Sequence, residues 1–132
     1  TVPLESARAS DVADSLLAPE AWSGWGVRTL AANERRYAAV SYHCGSVWPH
    51  DTALFGLGLE RYGLHDEAAR VARAVLDLAA ARSDRRAPEL IAGDARDEGP
   101  PAAYPDACRL QAWSAAAVLA MHGLLARREG AA

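Results

Sequence analysis

The sequence contains no lysine: its 14 basic residues are all arginine, set against 17 acidic ones. This absence reads as a codon-composition signature and not as a functional one. The net charge of -3 argues against nucleic acid as a partner, because an excess of positive charge is what attracts polyanions. Cysteine is scarce as well. Cys44 and Cys108 form no CxxC pair. One disulfide is open to them, but free thiols in a reducing compartment are the better reading, which points to the cytoplasm. No run approaches the ~20 uncharged apolar residues of a membrane span. The most apolar stretch, 110–126, is interrupted by Gln111, Ser114 and His122 and reads as a buried helix. Residues 1–4 lack a basic region followed by an apolar one, so they are no signal peptide. They also lack an initiator methionine, which suits a chain processed, trimmed or cut from something longer.

The chain has 132 residues, of which 51% are hydrophobic and 23% charged. That is the make-up of one globular domain or of part of a larger one. After an irregular lead-in over 1–9, Ser10 can cap a helix over 11–18, with Val12, Leu16 and Leu17 on its apolar face. Pro19 and Gly24 then end the regular pattern. Residues 19–50 hold three of the four tryptophans (Trp22, Trp25, Trp48), with Tyr37, Tyr42, His43 and His50 and interspersed glycines. A long loop of this kind in a compact domain is functional or disordered, and its aromatic content argues against disorder.

Asp51 can cap the next helix, over 52–62, which ends at Gly63. Its apolar residues Ala53, Leu54, Phe55, Leu57 and Leu59 cover nearly all sides, the pattern of a buried helix. A helix over 65–82 places Arg70, Arg73 and Asp77 opposite Val71, Val75 and Leu78, the pattern of an amphipathic surface helix. Residues 83–108 form a second long loop, rich in proline. A last helix over 109–127 carries no formal charge between its ends and ends with Arg127 and Arg128, which complement its dipole. Alternating buried and exposed helices joined by long loops predict an all-α, double-ring α/α barrel. A complete ring of six hairpins needs roughly 300 or more residues. About four helices therefore amount to its C-terminal third.

Three segments carry a specific likeness. The first is Ser23-Gly24-Trp25-Gly26-Val27-Arg28-Thr29-Leu30. The second runs Ser41-Tyr42-His43-Cys44-Gly45-Ser46-Val47-Trp48-Pro49-His50-Asp51, followed by Leu57-Gly58-Leu59 and Arg61-Tyr62-Gly63. The third is Pro88-Glu89-Leu90, then Tyr104-Pro105, Ala107-Cys108 and Gln111-Ala112-Trp113. In order and spacing they resemble the amylo-α-1,6-glucosidases, glycogen-debranching-type glycoside hydrolases, over about residues 10–125. The resemblance implies a six-hairpin α/α toroid that cleaves α-1,6 or related α-glucosidic bonds in glycogen-like oligosaccharides by inversion, with no cofactor. Inversion needs two carboxyl groups, roughly 6.5–9.5 Å apart. By resemblance Glu89 is the general base. The general acid, an Asp from an earlier part of the barrel, has no counterpart in this chain. Cys44, Asp106 and Arg109-Leu110 depart from the family's usual residues and bear on close specificity.

Other readings stand beside these. Glu89 is otherwise a solvated loop carboxylate. Trp25 and Trp48 suit stacking against a pyranose ring, or the core. His50 and Asp51 can line the site as a pair, His50 bonding a sugar hydroxyl, although Asp51 is also explained as a cap. Arg28, Tyr42, His43 and Gln111 can each reach a hydroxyl or satisfy loop carbonyls. Trp113, Phe55 and Met121 read as core. His43, Cys44, His50, Asp51 and Cys108 are ligand types, but the spacing of the two histidines matches no common zinc pattern, so no metal is expected. The competing function is a non-catalytic carbohydrate-binding or helical scaffold remnant. The expected partners are an α-glucan or oligosaccharide, and either the rest of the barrel or a second copy covering the exposed helix faces.

Overall fold

The structure, a computed structural model, describes residues 6–130. Four α-helices are present among them: α1 (Ser6–Leu17), α2 (Pro49–Arg61), α3 (His65–Ala81) and α4 (Ala112–Glu129). One 3-10 turn, Arg96–Glu98, interrupts the second long loop. There is no named strand among the described residues. The all-α class and the four-helix, long-loop make-up of an α/α-toroid segment are therefore as expected. Three helix starts differ. The first helix begins at Ser6, so Ser10 lies inside it and residues 6–9 of the expected lead-in are helical; residues 1–5 of that lead-in lie outside the described residues. The last helix begins at Ala112, after an extended Gln111 (φ -120, ψ 122).

The start of α2 differs for a physical reason. Trp48 is extended (φ -109, ψ 116) and Pro49 is the first helical residue. Proline there has its φ preset for the helix and lacks an N–H that would in any case have no intrahelical partner. Asp51 is not the cap; it sits in the first turn, where its charge favours the positive end of the helix dipole. The far end closes as expected. Gly63 takes φ +79, its N–H donates to the Glu60 carbonyl at 3.1 Å, and the Leu64 N–H donates to that of Leu59 at 3.0 Å. This paired closure satisfies two terminal carbonyls and delivers the chain straight into α3.

Helices α2, α3 and α4 pack against one another in all three pairings. Buried Ala68, Val71, Ala72, Val75, Leu78 and Ala79 recur at helical spacing on one face of α3. Gly56 of α2 marks the crossing: a Cβ there would meet Val71 Cγ1 at 2.9 Å and Met121 Sδ at 3.2 Å. The main core joins Ala13 and Trp22 to this three-helix layer. The expected split into buried α2 and α4 against exposed α3 is not what the chain shows. Helix α3 has eight buried residues, α2 five and α4 four. Leu54 is 62% and Leu119 73% exposed. An amphipathic helix commits one face to its neighbours, whereas α2 and α4, apolar on several sides, retain faces that no described residue covers.

The loops form a layer of their own. Single antiparallel bridges pair Arg28 with Val47, Val47 with Ile91, and Ile91 with Ala103. Val47 and Ile91 exchange backbone hydrogen bonds at 3.0 and 2.9 Å. Both are fully buried and pack with Trp25, Leu78, Ala79 and Ala87, which ties the loops to α3. Arg28 closes the layer: its Nε donates to the Gly93 carbonyl at 2.7 Å, and its Nη1 to those of Pro19 (2.9 Å) and Glu20 (3.3 Å).

Candidate active site

The pairing of Val47 with Ile91 has a direct consequence. It brings the loop ahead of α2 against the loop that carries Glu89. Glu89 is 8% exposed, and its backbone N–H donates to the Cys108 carbonyl at 3.0 Å. The Cys108 N–H donates in return to Glu89 Oε2 at 3.0 Å. Tyr42 Oη donates to Glu89 Oε1 at 2.6 Å. Each carboxyl oxygen thus has a donor.

These donors set the charge. The Tyr42 hydroxyl, then the Cys108 amide, and to a lesser extent Gln111 and His50, favour the ionised carboxylate and hold its pKa below the ordinary value of 4.5, against the opposing pull of burial. The same bond pushes the Tyr42 phenol up to about 12, because losing its proton would set two negative charges together. An ionised carboxylate with spare lone pairs can accept a proton and cannot donate one.

Around Glu89 stands a group of rings. Tyr42 meets Trp48 edge-on at 4.7 Å, His43 at 4.7 Å and Tyr104 at 5.8 Å. His43 stacks on Trp48 at 5.9 Å, and His50 stacks on Trp113 at 4.2 Å. His50 Nε2 lies 3.2 Å from Asp51 Oδ1. Its Nδ1 is buried and has no hydrogen-bond partner among the described residues. The Trp48 Nε1–H donates to the Tyr42 carbonyl and to Ser46 Oγ, both at 3.1 Å. The buried Ser46 hydroxyl donates to the same carbonyl at 2.7 Å.

Glu89, Tyr42, Gln111, Trp48, His50 and Asp51 are therefore brought together. Trp25 is not part of this group. It is buried behind the loops, with the Arg96 guanidinium 4.5 Å over its ring. Arg28 is spent on loop carbonyls. Tyr104 was not singled out in the sequence, and Trp113, read there as core, is 47% exposed and joins the ring group. No local signal marks Trp113, since it occupies an apolar helix whose orientation is tertiary. The signal for Tyr104 is its place in the Tyr104-Pro105 motif, an aromatic ring beside a proline in the second long loop. Both cysteines are free. No group of three or more His, Cys, Asp or Glu that could hold a metal ion occurs among the described residues, and no helix there is long and apolar enough to cross a membrane.

Residues 2–92 match the family model described as mannosylglycerate hydrolase MGH1-like glycoside hydrolase domain. The match spans Glu89, Tyr42, Trp48 and His50, while Tyr104, Gln111 and Trp113 lie past its end. The matching model is a glycoside hydrolase one, as the sequence resemblance implied, but it carries the MGH1-like description and not that of the amylo-α-1,6-glucosidases. A comparison with curated proteins found no match.

Proposed function

The chain belongs to the MGH1-like glycoside hydrolase family, and from that premise we propose that it supplies the base half of a glycosidase site. Glu89 takes a proton from water as the water oxygen bonds to the anomeric carbon. The glycosidic bond breaks on the opposite side, and its oxygen takes a proton from a second carboxyl group. That separation of roles inverts the anomeric centre. The second carboxyl, the general acid, comes from another part of an α/α toroid of which this chain is the C-terminal part. Trp48 offers a ring to the apolar side of a pyranose, His50 with Asp51 faces a hydroxyl, and Tyr42 and Gln111 flank Glu89. Trp25 contributes through loop packing. The proposed substrate is an α-1,6 or related α-glucoside of the glycogen type, and no cofactor takes part.

The observation that carries this reading is the pair of donors on the Glu89 oxygens, Tyr42 Oη at 2.6 Å and the Cys108 N–H at 3.0 Å, which favour the ionised carboxylate. A general acid needs the reverse, a carboxyl kept protonated near neutral pH. A mannosylglycerate-type glycoside, the kind named in the family description, is the second reading of substrate. Titration calorimetry with maltose, isomaltose, a glucose-like iminosugar and mannosylglycerate tests both. Binding of the glucosides or the iminosugar that weakens in Glu89→Gln supports the first. Binding confined to mannosylglycerate selects the second. Binding unchanged by Glu89→Gln removes the base role.

A further inference from the structure

We propose that Tyr42 is a positioning residue that commits Glu89 to the base role, acting on the reaction through Glu89 and not through a sugar hydroxyl. This rests on the assignment of Glu89 as base. Two features support it. The first is direction. A phenol has one proton to donate, and here it goes to Glu89 Oε1 at 2.6 Å, a length typical of a strong hydroxyl–carboxylate bond. The second is the way Tyr42 is held. Its carbonyl accepts from Ser46 Oγ at 2.7 Å and from Trp48 Nε1 at 3.1 Å. Its ring has edge-on neighbours in His43, Trp48 and Tyr104. Backbone and ring are therefore both fixed before any ligand arrives, which is what preorganisation requires.

The arrangement explains a division of labour. Glu89 Oε2 is fixed by a backbone amide at 3.0 Å, a donor that any residue except proline supplies at position 108. Oε1 takes its short bond from Tyr42, whose hydroxyl outweighs the Cys108 amide and the more weakly acting Gln111 in favouring the carboxylate. Removing the hydroxyl leaves the carboxylate with one strong donor and frees it to bind a proton more readily.

The test is carbon-detected NMR titration of the Glu89 carboxyl in the full chain, comparing wild type with Tyr42→Phe and Tyr104→Phe. Phenylalanine at 42 keeps the ring contacts and deletes only the donor. The Glu89 midpoint is expected to move up in Tyr42→Phe and to stay in place in Tyr104→Phe. An unmoved midpoint in Tyr42→Phe, in a chain whose circular dichroism matches wild type, overturns the proposal. If Tyr42→Phe does not fold, 3-fluorotyrosine placed at position 42 keeps the ring and makes its hydroxyl a stronger donor; the Glu89 midpoint is then expected to move down, and an unmoved midpoint overturns the proposal equally. Where glycoside turnover is measurable, kcat falls by about tenfold or more, as losing a hydrogen bond to a charged group predicts, with KM nearly constant and the acid limb of the pH profile displaced upward. A raised KM at unchanged kcat makes Tyr42 a substrate contact and overturns the proposal. The carboxyl titration needs neither sugar nor turnover, so a failure of sugar binding bears on the substrate site alone and the midpoint still decides the role of Tyr42.

Discussion

The helical layer and the loop layer hold their shapes by different means. In α2, α3 and α4 the positions are set by volume: alanines, valines and leucines fill one face, and Gly56 lets three helices approach. In the loops they are set by direction. Arg28 reaches three carbonyls, Ser46 and Trp48 hold one carbonyl together, and single bridges replace strands. Packing tolerates small changes of shape that keep volume. A directed polar contact is lost when one atom moves, and it leaves a buried partner unsatisfied. A carboxylate that must face water at a fixed place is better served by the second means, and Glu89 stands in that layer.

The largest expected effect is on chemistry. If the loop layer exists to present Glu89, then Glu89→Gln lowers any glycosidase turnover by about a hundredfold to ten-thousandfold, the range of general-base catalysis, while the fold is retained at a cost of about 1–3 kcal/mol, because the amide replaces only one of the two acceptor oxygens. Turnover that survives the change moves the base to another residue. Next is Arg28→Ala. It deletes three hydrogen bonds from a buried guanidinium and is expected to destabilise by about 3 kcal/mol, less than their sum because the Gly93 carbonyl keeps the Tyr37 hydroxyl at 3.0 Å and the Glu20 carbonyl keeps the Ala32 N–H at 2.8 Å. It also disturbs the Glu89 titration, because Arg28 anchors Gly93 a few residues along the same loop. Leu78→Ala sharpens the contrast. Leu78 is fully buried, and its loss costs about 2–4 kcal/mol, but the Glu89 midpoint is expected to hold because the hydrogen bonds on its oxygens remain. Denaturant unfolding with carboxyl NMR separates the two outcomes, and equal disturbance of Glu89 by both variants breaks the comparison.

Smaller effects follow with pH and at the surface. Glu89 has its folded pKa depressed below the ordinary 4.5, so its contribution to stability is present above the unfolded value and is lost as pH falls through the folded one. Sugar binding that depends on the carboxylate is therefore expected to persist at pH 5 and to fade at lower pH, as calorimetry across that range can establish. The smallest effect is expected at Leu119, 73% exposed on α4. Leu119→Gln changes stability by about 0.5 kcal/mol or less where nothing covers the site. A larger loss that depends on protein concentration, read by light scattering, means that a second copy rests on this face.

Much of this was legible in the chain. Gly63 stopped α2, the alternation of arginine with valine and leucine marked α3, and Pro88-Glu89-Leu90 pointed by its resemblance to the glutamate now proposed as base. What escaped did so for identifiable reasons. Asp51 is a good cap by type, but Pro49 two residues earlier can open a helix just as well, and the choice depends on Trp48 being held extended. Trp113 reads as core because apolar helices usually are; that α4 turns it toward His50 depends on where α2 lies. Trp25 and Trp48 share a composition and a loop, yet one fills the core and the other joins the ring group.

The sequence by itself determined the class and the cast: four helices, two long aromatic and proline-marked loops, and a glutamate in a glycosidase-like motif. Periodicity, capping and turn chemistry are local, so they can be read without a fold. Only the tertiary structure decided which side chains serve Glu89. The meeting of Tyr42 and Cys108 on its two oxygens spans 47 and 19 residues. Contacts across such separations depend on how the Val47 and Ile91 segments pair, which no local pattern encodes.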